Sequence, residues 1–179
     1  MQLKILPIVT ALVLSLWWGN VRCVNLNSKK LSVIPYGFQY DQEPFTGIVY
    51  SWEGDHLASL VFVLNGLRHG PDIQWYANGQ RFIERHYDFG VESGQHKAWY
   101  ENGNVRSLKS FENGMAHGEF FEWHSNGQAS QFIVYDHGKE VAAKSWTAGG
   151  KPFYNYVWLN GSRIGLEGDR FCLPPQKKL

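Results

Sequence analysis

Only two of the 179 residues are cysteine, Cys23 and Cys172, too few for a disulfide framework or a cysteine cage around zinc. Charge is scarce as well. Asp, Glu, Lys and Arg make up 18% of the chain, and 17 Lys+Arg against 16 Asp+Glu leave a formal net charge of +1. A nucleic-acid-binding surface neutralises phosphates with a basic excess or stripe, so the composition argues against nucleic acid as a partner. No apolar run reaches the ~18–20 residues of a membrane-spanning helix, and no capping residue followed by 3.6-residue periodicity marks a helix of any kind. What the chain has in quantity is aromatic side chains and glycine: eight Trp, nine Tyr, eleven Phe and 19 Gly. That much aromatic surface excludes a disordered chain, and aromatics interleaved with glycine describe many short strands joined by tight turns.

Met1 to Lys4 opens weakly positive, and Ile5 to Trp18 follows as 14 residues without charge. The run is too short to span a bilayer but suits the apolar centre of a secretory signal peptide. Pro7 and the extreme N-terminal position argue against a buried strand or helix. Residues 1–23 are therefore expected to be a signal peptide or N-terminal anchor, and the protein to be exported: periplasmic, cell-surface or secreted. Cleavage after Cys23 would leave Val21 and Cys23 at the −3 and −1 places. Acylation of Cys23 is the weaker alternative, because Arg22 and Asn20 stand where a lipobox has a small residue and usually leucine. A third fate retains Cys23, able to pair with Cys172 in an oxidising compartment. Loss of residues 1–23 removes Lys4 and Arg22 and brings the formal charge to −1.

The remainder is organised by a period. Tryptophan recurs at Trp52, Trp75, Trp99, Trp123 and Trp146, in steps of 23 or 24 residues, and glycine at Gly66, Gly90, Gly114, Gly138 and Gly161 in the same steps. Tyr87, Phe111, Tyr135 and Trp158 form a second aromatic series, and Gly79, Gly103, Gly127 and Gly150 a second glycine series. The unit reads G-x4-W-x3-G-x7-[YF]-x2-G-x3-G, clean from Gly70, Gly94 and Gly118 and looser from Gly47 and Ala142. A fixed period of this length is the signature of a repeat architecture.

Each unit has the chemistry of a β-hairpin. Asn78-Gly79, Asn102-Gly103 and Asn126-Gly127 separate two runs of aromatic and β-branched residues, and Asn-Gly is the preferred pair for a type I′ turn. Asp72–Tyr76 reads as one strand and Arg81–Tyr87 as the other, with Gly90 and Gly94 bounding a looser return to the next hairpin. The expected fold is all-β: an antiparallel meander of about five tandem hairpins over residues 47–165. A lead or cap occupies residues 24–46, and residues 166–179 form a C-terminal cap or tail, since repeat arrays need atypical ends to protect their edges.

The motifs Trp75-Tyr76-Ala77-Asn78-Gly79, Trp99-Tyr100-Glu101-Asn102-Gly103 and Trp123-His124-Ser125-Asn126-Gly127 resemble the MORN-repeat family, in its bacterial YwqK-type, antitoxin-like variant with units of about 24 residues. The resemblance covers Gly47 to about Gly165. It implies an elongated sheet of β-hairpin repeats that binds partners and has no catalytic residues.

Chemistry-bearing residues are sparse in pattern. His69 and His117 share a phase two units apart, ~19 Å in a sheet with ~4.8 Å strand spacing, too far to share an ion. His117 and His124 differ in parity, and so do Glu119 and Glu122, so each pair points to opposite faces. No metal ligands, no cofactor and no catalytic residues are expected. The tryptophans Trp52, Trp75, Trp99, Trp123 and Trp146 read as a packed structural ladder. The next residue along points to the other face, making Tyr76, Tyr100 and His124 the candidate contact surface. The functional expectation is an exported, non-enzymatic scaffold that binds another protein, touching a membrane only through residues 1–23 if these are uncleaved or lipidated. The alternatives are a cytosolic antitoxin that neutralises a toxin by direct binding, and a cell-surface carbohydrate- or wall-binding module.

Overall fold

Two kinds of tight turn set the architecture. In the computed structural model, which describes residues 21–35 and 37–166, the sequence pairs Asn65-Gly66, Phe89-Gly90, Asn113-Gly114, His137-Gly138 and Asn160-Gly161 all have positive φ at both residues. That is the signature of a two-residue type I′ turn. The Asn-Gly pairs after each tryptophan are different: Gly79, Gly103 and Gly127 have positive φ, but Asn78, Asn102 and Asn126 do not. There Tyr76 and Gln80 close a three-residue loop, with the Tyr76 amide on the Gln80 carbonyl at 2.8 Å and the Gly79 amide on the Tyr76 carbonyl at 2.9 Å. This is a type I turn followed by a left-handed glycine. The sequence expectation had the two turns reversed: the returns at Gly90 and its counterparts are the two-residue turns, and the Asn-Gly loops are the longer ones. Asn at a turn accepts its own backbone two residues on, as Asn78 Oδ1 does from the Gln80 amide at 2.9 Å, and this stabilises the longer loop without a left-handed asparagine.

The strands run β1 Cys23–Asn25, β2 Leu31–Ile34, β3 Gly37–Tyr40, β4 Glu43–Pro44, β5 Gly47–Glu53, β6 His56–Leu64, β7 Leu67–Trp75, β8 Arg81–Asp88, β9 Val91–Glu92, β10 Gly94–Trp99, β11 Val105–Glu112, β12 Met115–Ala116, β13 Gly118–Trp123, β14 Ala129–Asp136, β15 Lys139–Trp146, β16 Pro152–Leu159 and β17 Ser162–Leu166. From β5 to β17 they pair antiparallel in chain order as one long sheet, with β9 and β12 as two-residue stubs on β8 and β11. The expected meander of hairpins is the fold, and the sheet is not closed into a barrel. One strand departs from the pattern: β1 pairs parallel with β5, so the sheet is mixed at its N-terminal edge. Among the described residues no helix is long and apolar enough to cross a membrane. The segment read as an export signal falls almost wholly outside the described residues, as do Cys172 and the C-terminal tail from residue 167.

Register shows which side chains share a face. Gln74 pairs with Ile83, Ile83 with Ala98, Ala98 with Ser107 and Ser107 with Glu122, so these and every second residue from them lie on one side. That side carries Val49, Val61, Val63, Asp72, His96, Ala98, Phe120 and Ala143, all buried, whereas Ile48 is the one buried residue of the other side among those described. At the N-terminal end β2, β3 and β4 form a separate small sheet. It delivers Leu31 and Phe38, and Phe45 follows, to a cluster with Val24, Val49, Val61 and Val63. The lead over residues 24–46 thus covers the buried face of the first hairpin with apolar side chains.

Candidate functional site

All five tryptophans occupy the same structural place, a β-bulge near the end of a strand, followed by the Asn-Gly loop at Trp75, Trp99 and Trp123 and by other glycine-containing turns at Trp52 and Trp146. The register shifts at Ser51/Trp52, Gln74/Trp75, Ala98/Trp99, Glu122/Trp123 and Ser145/Trp146. In each case the extra residue is on the partner strand, Ala58, Phe82, Arg106, Ser130 or Phe153, and it is that strand that the bulge bends. Each of the five is half-buried and none is in the buried core. Phe121, which pairs with Leu108 and Phe132 on the side away from the buried residues, stacks on Trp123 with ring centroids 5.8 Å apart. Trp99, Trp123 and Leu108 line one surface groove together with Lys97, Asn104 and Val105. The ladder is therefore regular, as its spacing implies, but it is an aromatic row on the more open face rather than part of the core.

Tyr76, Tyr100 and His124 are half-buried too, and their polar tips are committed within the molecule. Tyr76 Oη donates to the Trp99 carbonyl at 2.9 Å, Tyr100 Oη to the Trp123 carbonyl at 2.7 Å, and His124 Nε2 to the Trp146 carbonyl at 3.0 Å. The cause is local: pairing of β10 with β8 ends at Ala98, which leaves the Trp99 carbonyl beyond the ladder and open to a side-chain donor. Asparagine adds a second staple along the same edge. Asn78, Asn102 and Asn126 Nδ2 donate to the carbonyls of Glu101, Ser125 and Ala148, each at 3.0 Å. The three candidate contact residues thus join one repeat to the next, and only the flanks of their rings remain for a partner. Tyr76 packs its ring edge-on against Phe82, with centroids 5.0 Å apart.

On the buried face a second groove is lined by Arg85, Glu92, His96, Lys109, Phe111 and Glu122, among others. His96 is 7% exposed, its Nε2 donates to the His86 carbonyl at 3.0 Å, and its ring lies 4.5 Å from that of Phe111. Burial holds its pKa below the ordinary 6.5, against the opposing pull of that hydrogen bond and of Glu92. Lys109 Nζ and Glu122 Oε1 close an ion pair at 2.7 Å across the groove. Glu119 and Glu122 pair with Val134 and Gln131 respectively, which sets the two carboxylates on opposite faces.

The edge with the type I′ turns gathers residues that spacing alone did not bring together. Glu112, His117 and His137 each offer a ligand atom within 4.8 Å of the other two. Neither equal phase nor parity flags His117 with His137, because they are 20 residues apart in a 24-residue repeat. The offset comes from the structure: the type I′ turns at Gly66, Gly90, Gly114 and Gly138 bond back to the preceding stretch of chain, as Gly90 N does to Arg68 O and Gly138 N to Ala116 O, both at 2.7 Å.

Neither a scan against protein-family models nor a search of the curated proteins found a match to this chain.

Proposed function

We propose that this chain is a non-enzymatic, MORN-like repeat scaffold that is exported and binds another protein along its tryptophan face, without a cofactor. The observation that carries the reading is the aromatic row at the bulges: five half-buried indoles at one structural place, on the side of the sheet opposite the buried residues. Aromatic side chains supply large contact area at low conformational cost and are enriched at protein interfaces. The repeat makes them rigid, because each bulge carbonyl from Trp99 to Trp146 is tied to the preceding unit. A row fixed in this way loses little further entropy on binding.

A photo-crosslinking amino acid placed at Val105, which is 42% exposed and lines the groove beside Trp99 and Trp123, tests both parts of the reading in native cells. The expected result is a processed chain outside the cytoplasm, with one discrete protein adduct from position 105 and none from position 91 at the opposite edge. Full-length chain in the cytosol would restore the antitoxin alternative. Equal adducts at both positions, or none at 105, would reject the tryptophan face, and saturable binding of soluble glycans quenching the tryptophan fluorescence would favour a carbohydrate partner.

A further inference from the structure

We propose that Glu112, His117 and His137 form a site for one divalent first-row transition-metal cation, zinc in the first instance, with Asp136 as the carboxylate that orients both imidazoles. One ligand atom of each of the three lies within 4.8 Å of the others. A cation bound at ~2.0–2.2 Å from nitrogen and oxygen draws such donors about an ångström closer, which exposed side chains can do by rotation.

The tautomer of His137 suits the task. His137 Nδ1 lies 2.6 Å from Asp136 Oδ1; a proton there, held by the carboxylate, leaves the lone pair of the neutral ring on Nε2. His117 Nδ1 is 3.8 Å from the same oxygen, and its Nε2 is 3.7 Å from Glu112 Oε2. His117 Nδ1 accepts the His137 amide at 3.4 Å, so taking a cation on Nε2 moves the ring proton to Nδ1 and turns that edge from the amide toward Asp136. A carboxylate behind a metal-bound histidine fixes the ring and raises its basicity. Two imidazoles and a carboxylate select zinc and its neighbours over calcium or magnesium, which prefer all-oxygen sets. Three protein ligands leave a fourth position open.

The backbone holds the ligands in place. His137 occupies the first position of a type I′ turn at φ 46°, and the adjacent Gly138 amide is bonded to Ala116 in the preceding repeat at 2.7 Å. The His117 amide is bonded to the Ser110 carbonyl at 3.0 Å. The repeat itself supplies the comparison. Two units earlier the same places hold Leu64, His69, Asp88 and Phe89, with the same 3.4 Å approach of the turn amide to the histidine Nδ1. That locus has the ring contact, at 4.6 Å against 4.5 Å, but lacks two of the donors. One unit earlier stand Asp88, Ser93, Glu112 and Asn113, with no imidazole. Structural needs alone are met at those loci without the full donor set.

Isothermal titration of the untagged full chain with Zn²⁺ after chelator treatment tests the assignment. The expected result is one equivalent bound, weakening on acidification because protons compete with the cation for its ligands. His137→Phe, which installs the side chain that Phe89 supplies two units earlier, abolishes that equivalent while the circular dichroism is kept. Asp136→Asn weakens binding about tenfold or more, and His69→Ala leaves it unchanged. If His137→Phe fails to fold, Glu112→Gln, at an exposed position, decides in its place. Absence of saturable binding by the wild type, binding undiminished in Glu112→Gln or His137→Phe, or binding lost in His69→Ala, would overturn the proposal.

Discussion

The hydroxyl of Tyr76 donates to the backbone carbonyl of Trp99, 2.9 Å away and 23 residues later. The bond recurs from Tyr100 to Trp123 and, with an imidazole as donor, from His124 to Trp146, so each repeat closes the unpaired carbonyl of its successor. Tyr100→Phe keeps the ring and removes only the donor, leaving that carbonyl to water or unpaired. The expected loss is about 1 kcal/mol, read as a lower urea midpoint with unchanged slope. No change would mean that water replaces the hydroxyl at no cost and that the staple is incidental.

The burial pattern predicts an order of sensitivity. Phe120 is 7% exposed and lies between the rings of Phe111 and Tyr135, at 5.5 and 4.7 Å; Phe120→Ala is expected to cost about 3–5 kcal/mol. Trp99 is larger but half-buried, so Trp99→Ala is expected to cost about 1–2 kcal/mol. Chemical denaturation of the two variants compares them directly. A greater loss at Trp99 would return the tryptophan row to the core.

The N-terminal sheet docks through one close backbone approach. A Cβ on Gly37 would lie 1.9 Å from the Gly66 carbonyl oxygen, the same oxygen that accepts the Phe38 amide at 2.7 Å. Gly37→Ala is therefore expected to push β3 off the first type I′ turn and destabilise the protein by about 2–4 kcal/mol. Thermal unfolding reads the loss, and a melting temperature equal to that of the wild type would show that the small sheet is not docked as described.

His96 predicts an acid-side weakness. Because burial lowers its folded pKa below 6.5, the unfolded chain takes up a proton first as pH falls. Stability is then complete above the unfolded pKa and declines below it, until the folded imidazole titrates as well. Three titratable neighbours act on the ring: Glu92 raises its pKa, while Arg85 and His86 lower it. His96→Gln can still donate to the His86 carbonyl but does not titrate. Between about pH 7.5 and 5.5, a window spanning the unperturbed histidine value, its urea midpoint should fall less than that of the wild type; equal falls would place the weakness elsewhere.

The period, the all-β class and the hairpin order are legible in the amino-acid sequence, because a strand and its turn are local events written in side-chain type and glycine placement. Even there the turns differ from the expectation: after Trp75, Trp99 and Trp123 Asn-Gly closes a longer loop, whereas the type I′ turns use Asn-Gly at 65–66, 113–114 and 160–161 and take phenylalanine or histidine at 89 and 137, where a bond to the preceding repeat pins the next glycine. Which face is buried came from the tertiary structure, since Phe120 and Phe121 are equally apolar and differ in the side chains packed beside them, Phe111 and Tyr135 against Trp123 and Phe132. It also decided that the tyrosine row is a staple, that residues 24–46 cover the first hairpin, and that His137 reaches His117. These depend on how one repeat lies against the next. A period reports that successive units are alike, whereas the offset at which they touch is set by sheet twist, bulges and the carbonyls left unpaired.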